Sequence, residues 1–153
     1  MKKQDKQPSP PSAARSSNRV LDRVDSPADL KRLTAEQLTD LAGECREVII
    51  ETITKSGGHL ASNLGVVELT LALHRVFDSP RDRIVWDTSN QCYTHKLVTG
   101  RREGFSSIRT PGGLSGFAEP SESPHDTLAA GHAGTGLSYA LGMAAALQGS
   151  PQE

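Results

Sequence analysis

The sequence is short of cysteine, of net charge and of long apolar runs. Its two cysteines, Cys45 and Cys92, lack the spacing of a metal site, so we expect free thiols in a reducing, cytoplasmic compartment. A formal net charge of −1 gives no electrostatic reason to expect nucleic acid or an anionic membrane as a partner. No run approaches the roughly 18 apolar residues of a membrane span. A length of 153 residues with 23% charged residues suits one soluble domain.

The first 19 residues contain almost nothing that a core could bury. They carry five lysines or arginines, three prolines and several serines, without the apolar stretch of a secretory signal. We expect a disordered basic tail at residues 1–19 and a folded domain at residues 20–153. A short organelle transit peptide is the alternative for the tail.

Four segments have the pattern of helices. Thr34 and Gln37 have the spacing of a capping box, and apolar residues then recur every three or four positions. Gly57 and Gly58 supply the positive φ that ends such a helix. The second segment is apolar around most of its circumference, which predicts a helix buried on all sides. The predicted helices cover residues 35–55, 65–77, 93–99 and 135–148.

Two short apolar runs, residues 83–87 and 127–130, predict β-strands. The first suits a buried parallel strand, and polar residues follow it at the end where open α/β sheets bind ligands. Helices alternating with such strands predict an α/β fold with a doubly wound, mainly parallel sheet. Two strands do not complete that sheet, so we expect a partial domain, truncated before its central strands are complete.

Two glycine turns that carry a histidine each precede an apolar helix. They are Ser56–Gly57–Gly58–His59–Leu60 and Gly131–His132–Ala133–Gly134–Thr135. Since the first N–H groups of a helix have no partner inside it, such turns can hold an anionic group. The sequence therefore predicts half of a phosphate-binding site. In the long loop between the turns, Arg101, Arg102 and Arg109 are solvated charges by default, and the alternative is that they meet a phosphate or an acidic partner.

Several longer stretches match a known family in order and with ordinary loop lengths. They are LDRVDSPADLKRLT, SGGHLASNLGVVELTLALHRVFDSPRDRIVWD, YTHKLVTGRR, the GGL turn at residues 112–114 and GHAGTGLSYALGMA. On these motifs the region from Leu21 to Gln148 resembles the N-terminal part of the 1-deoxy-D-xylulose-5-phosphate synthase family. These are thiamine diphosphate enzymes of the transketolase class.

The resemblance implies a reaction, cofactors and partners. The family condenses pyruvate with glyceraldehyde 3-phosphate, with loss of carbon dioxide, to 1-deoxy-D-xylulose 5-phosphate, a precursor for isoprenoid and thiamine synthesis. It uses thiamine diphosphate and Mg²⁺, and a full-length member is expected to be a homodimer.

The resemblance also gives roles to five residues of this chain: His59, Asn90, Gly131, His132 and Ala133. His59 matches a histidine at the reacting end of the cofactor, where an imidazole can move protons. Residues 131–133 match the family's Gly-His-Ser cofactor-binding turn, with alanine in place of serine. Asn90 stands where the family has the histidine of a Gly-His-Gln motif. An amide forms hydrogen bonds but cannot shuttle a proton at neutral pH.

Two parts of the family's site have no counterpart in this sequence. One is a Gly-Asp-Gly turn with a downstream asparagine, which ligates Mg²⁺. The other is a second domain, whose glutamate activates the cofactor. We therefore expect no metal ligands here, weak cofactor binding and no catalysis by this chain alone, as for an N-terminal piece of a synthase. The alternatives are a non-catalytic module that binds a partner, or one subunit of a split transketolase-like enzyme.

Overall fold

A computed structural model of the protein describes residues 19–148, which form six α-helices and two short 3₁₀ turns. The helices are α1 (Pro27–Leu30), α2 (Ala35–Ser56), α3 (Leu60–Leu64), α4 (Val67–Val76), α5 (Tyr93–Leu97) and α6 (Gly136–Leu147). The 3₁₀ turns are Leu21–Arg23 and Phe105–Ser107. The predicted tail lies outside the described residues except for Arg19, whose guanidinium contacts Glu44 and Glu47 of α2.

Helix α2 begins and ends as the sequence predicts. The Gln37 N–H donates to Thr34 Oγ1 over 3.2 Å, and the Thr34 N–H donates to Gln37 Oε1 over 2.9 Å. This reciprocal pair confirms the capping box. Gly57, at a φ of 70°, ends the helix. One face of α2 is buried in the core: Leu41, Ala42, Cys45, Ile49 and Ile53.

The core lies where α2, α4 and α5 meet, and α5 is buried along its whole length. The prediction that the second helix is buried on all sides is wrong for the part of the chain described. Leu69 is 56% exposed and Val76 is 72% exposed. The reason is that α1, α2 and α5 cover one side of α4 and leave its other apolar side open.

The two predicted strands, and with them the sheet, are not confirmed. No strand occurs within residues 19–148. The two segments nevertheless lie side by side, because Thr127 Oγ1 donates to the Ile84 carbonyl over 2.9 Å. No backbone hydrogen bond joins residues 83–87 to residues 127–130. A strand pair without further neighbours is marginal, which explains why the two segments lie side by side without a ladder.

A buried ionic cluster attaches the loop of residues 115–126 to α5. The Arg101 guanidinium donates to both carboxylate oxygens of Asp126, over 2.7 and 2.8 Å, and Lys96 pairs with Glu122. Arg101 is only 7% exposed, so its expected role as a solvated loop charge is wrong. The carboxylates also accept backbone N–H groups of their own loop. Side chains therefore fix this loop where no backbone ladder exists.

Two buried histidines extend the cluster toward α4. His95 Nε2 lies 2.8 Å from Asp126 Oδ1, and His74 Nε2 lies 2.8 Å from His95 Nδ1. Burial alone would raise the pKa of the Asp126 carboxyl, but hydrogen bonds from His95 and Arg101 outweigh it and hold that pKa well below its usual range. Burial lowers the pKa of His74 to about 3. Both imidazoles therefore carry their proton on Nε2, with His74 neutral.

We expect the free energy of unfolding to fall as the pH drops from about 6.5. Unfolded His74 takes up a proton near that pH, whereas folded His74 resists protonation down to about pH 3. Urea unfolding at pH 7 and at pH 5 measures this fall in the free energy of unfolding. The fall should be smaller in His74→Gln than in the unsubstituted protein. An equal loss in both proteins would contradict this explanation.

Candidate functional site

The first histidine turn places His59 at the N-terminal end of α3. Gly58 adopts a φ of 145°, and a Cβ added there would lie 2.9 Å from the Tyr93 hydroxyl, so only glycine fits. The His59 ring packs edge-on against the Phe117 ring, with centroids 5.5 Å apart. Its Nδ1 atom is buried and has no hydrogen-bond partner among the described residues.

The turn after residues 83–87 has a left-handed backbone at two positions that are not glycine. Thr88 has a φ of 59° and Ser89 a φ of 64°. The Ser89 hydroxyl accepts the Ala118 N–H over 3.1 Å and donates to the Ala130 carbonyl over 2.9 Å. A left-handed residue costs about 1–2 kcal/mol, which these two bonds offset. Ser89 thereby ties the Asn90 turn to the residue just before the second histidine turn.

Asn90 lies close to the His59 turn. Its carbonyl accepts a hydrogen bond from Asn63 Nδ2 over 2.8 Å, and the same nitrogen donates to the His59 carbonyl. The Asn90 side chain donates to Ser62 Oγ over 3.4 Å. Next to it, the Oε1 atom of Gln91 is buried without a partner among the described residues. The structure thus brings the predicted residues His59 and Asn90 together.

The second histidine turn is exposed, and a carboxylate of the chain occupies the start of its helix. Asp87 accepts the N–H groups of Gly134 and Gly136, each over 2.9 Å. These two bonds hold the pKa of the Asp87 carboxyl below its usual value. Asp87, which sequence reasoning missed, therefore accepts two of the N–H groups at this helix start.

The backbone of residues 131–133 remains available to a ligand. Their N–H groups donate to no group within residues 19–148. Within the same range, no hydrogen bond or ring contact joins His132 or Ala133 to His59. The neighbours of these three residues are held near the site by the Ser89 bond to Ala130 and by the Asp87 bonds to Gly134 and Gly136. The role of residues 131–133 as cofactor ligands stays a prediction.

Three residues of the site had no role in the sequence interpretation: Asn63, Asp87 and Phe117. Asn63 follows His59 by one helical turn in α3, but it adjoins a second polar residue, Ser62, so the sequence pattern does not indicate that it is buried. The other two act across long separations in sequence, for which a single sequence offers no signal.

The remaining features place no second site near these residues. A groove of about 440 Å³ lies between α2 and α4 and contains none of the predicted site residues. Nowhere in residues 19–148 do three or more histidine, cysteine or acidic side chains gather in a way that could hold a metal ion.

Cys45 and Cys92 are free and buried, and burial raises the pKa of both thiols to about 12. Among the described helices, none has both the length and the apolar character to cross a membrane.

Comparison with known proteins extends these observations. A family model described as 1-deoxy-D-xylulose-5-phosphate synthase matches residues 21–153. The 1-deoxy-D-xylulose-5-phosphate synthase 2 of Geobacter sulfurreducens is 63% identical over 129 residues, which cover 84% of this chain and 21% of that protein. The synthase of Thermomicrobium roseum is 65% identical over 127 residues, 82% of this chain and 20% of that protein. That of Thermus thermophilus is 61% identical over 124 residues, 81% of this chain and 20% of that protein.

These matches place the chain in the class of proteins that contain this N-terminal synthase region. Within that class, the chain belongs to the 1-deoxy-D-xylulose-5-phosphate synthase family. The family predicted from the sequence motifs is thereby confirmed. The chain spans about a fifth of the length of the curated relatives it matches.

Two substitutions of Ser89 separate the stabilising effect of its hydroxyl hydrogen bonds from the destabilising effect of its left-handed backbone. Ser89→Ala keeps the left-handed φ and loses both hydroxyl bonds, so we expect a loss of about 1–3 kcal/mol in unfolding free energy. Ser89→Gly loses the same bonds but relieves the strain, so its loss should be smaller by about 1 kcal/mol. Urea unfolding of the two variants measures the difference. A glycine variant less stable than the alanine variant would refute this explanation.

Proposed function

We propose that this chain is part of an enzyme that condenses pyruvate with glyceraldehyde 3-phosphate, with loss of carbon dioxide, to 1-deoxy-D-xylulose 5-phosphate. The observation that carries the proposal is the family match across residues 21–153, which includes both histidine turns. The whole protein would be a homodimer. Two free, buried thiols are consistent with a reducing compartment, for which we propose the cytoplasm.

Unpartnered polar atoms support a contact with thiamine diphosphate near His59. His59 Nδ1 and Gln91 Oε1 are buried without hydrogen bonds to the described residues, and a buried polar atom left unpaired costs about 1–3 kcal/mol. Asn63 joins the two segments that contain these atoms, the His59 turn and the Asn90 turn. A ligand with polar groups would satisfy them, and thiamine diphosphate has such groups. When bound, this cofactor supplies a thiazolium carbon that adds to the pyruvate ketone and accepts the electron pair left by decarboxylation.

The roles proposed for this chain's own residues follow from their chemistry. His59 would hold or move a proton at the reacting end, because one nitrogen of an imidazole can accept a proton while the other donates one. Asn90 would orient a polar group through its amide without transferring a proton. Gly131, His132 and Ala133 would contact the cofactor through the backbone N–H groups that have no partner within residues 19–148.

Magnesium does not fit the residues described. Mg²⁺ requires several oxygen ligands in a nearly octahedral arrangement, and residues 19–148 contain no such group. The carboxylate that contacts the second turn, Asp87, is engaged with Gly134 and Gly136. Dependence on Mg²⁺ is therefore proposed from the family resemblance alone.

We further propose that residues 83–87 and 127–130 are strands of the family's sheet in the whole protein. The bonds from Thr127 to Ile84 and from Ser89 to Ala130 support this, since they already hold the two segments as neighbours. Further strands would supply the backbone partners that the segments lack here.

A chimera tests the proposed function. Residues 21–153 would replace the matching N-terminal fifth of the Geobacter relative. The chimera should form deoxyxylulose phosphate from pyruvate and glyceraldehyde 3-phosphate, and His59→Gln should lower its turnover by about 10²–10⁴-fold. A folded chimera that binds thiamine diphosphate but forms no product would contradict the proposal.

The asparagine at position 90 gives a further prediction. In the chimera, Asn90→His should raise kcat by about tenfold or more, because it restores a group that can transfer a proton. Asn90→Gln is the matched control and should not raise kcat, since it remains an amide. Steady-state kinetics at saturating cofactor measures both variants. An unchanged kcat in Asn90→His would show that proton transfer at this position does not limit turnover.

A further inference from the structure

The side chain of Asn63 joins three segments of the site. Its Nδ2 atom donates to the His59 carbonyl over 2.5 Å and to the Asn90 carbonyl over 2.8 Å. Its Oδ1 atom accepts the Tyr93 N–H over 2.8 Å. The side chain is fully buried, and none of its polar atoms lacks a partner. One amide therefore connects the His59 turn, the Asn90 turn and the start of α5.

The three partners determine which residue can occupy position 63. Two carbonyls require two N–H donors, and the Tyr93 N–H requires an acceptor, so the orientation of the amide is fixed. Aspartate offers the acceptor without both donors, and leucine offers neither. Glutamine carries the right groups on a side chain that is one methylene longer. Asparagine alone meets the requirement at this distance from the α3 backbone.

Few other contacts hold His59 in place. Its N–H lies 3.5 Å from the Tyr93 hydroxyl, which is a long hydrogen bond, and its ring contacts Phe117. No side chain caps α3 at this position. Among the described residues, the bond from Asn63 to the His59 carbonyl is the shortest hydrogen bond made by His59.

We propose that Asn63 is a positioning residue of the synthase site: it fixes the backbone of His59 relative to Asn90 and keeps the His59 ring on Phe117. This inference rests on the proposed function. Asn63 touches neither substrate nor cofactor in this role. It acts through His59, whose placement decides whether a proton can pass to or from the reacting atoms.

Kinetics of the chimera provide the first test. Asn63→Asp keeps the acceptor for the Tyr93 N–H and cannot donate to both carbonyls. We expect kcat to fall by about 10–100-fold with little change in KM, because substrate still binds while His59 is displaced. Thr70→Val is the control: it removes one buried bond, from Thr70 to the Val66 carbonyl in α4, and should leave kcat unchanged. An Asn63→Asp enzyme with the kcat of the control would overturn the proposal.

A second readout does not depend on activity. In the 153-residue chain, the nuclear Overhauser effect between the rings of His59 and Phe117 should disappear in Asn63→Asp and persist in Thr70→Val. If Asn63→Asp does not fold, Asn63→Ser, which keeps a single donor, takes its place. Persistence of the ring contact would overturn the positioning role. An inactive unsubstituted chimera would instead refute the proposed function, and the ring contact would still decide the role of Asn63.

Discussion

Buried hydrogen bonds and ion pairs from side chains hold the long irregular segment of this protein in place. Residues 98–135 contain one short 3₁₀ turn and no strand, so backbone ladders cannot satisfy their polar groups. Asp126 meets this need for one part of the segment, since it accepts from Arg101, His95 and the Glu119 N–H. An uncompensated charge at such a depth would cost several kcal/mol, so the loop and α5 depend on each other.

The same principle assembles the candidate site. Asn63 joins the first histidine turn to the Asn90 turn, Ser89 joins that turn to Ala130, and Asp87 holds the start of α6. Each link joins parts of the chain that are far apart in sequence, except the short step from Asn63 to His59. The predicted site residues lie on exposed or irregular backbone. The residues that position them are buried, or the polar atoms of their side chains have hydrogen-bond partners. This is the arrangement by which a preformed scaffold presents a ligand site.

The limits of α2 could be predicted because its signals are local: a capping box at Thr34 and a glycine of positive φ at Gly57. The strands could not, because a strand is defined by partners that lie elsewhere in the chain. The family followed from motifs. The role of Asn63 did not, since a polar residue in a short helix is typical of a solvent-facing position and its burial is decided by tertiary contacts.

If the proposed function is right, the His59 turn and the turn of residues 131–133 contact one thiamine diphosphate molecule. A crystal structure of the chimera with this cofactor would test this. We expect His59 within hydrogen-bond reach of the reacting end, directly or through one water, and residues 131–133 against the same molecule. A cofactor bound with His59 and His132 both outside contact distance would contradict it.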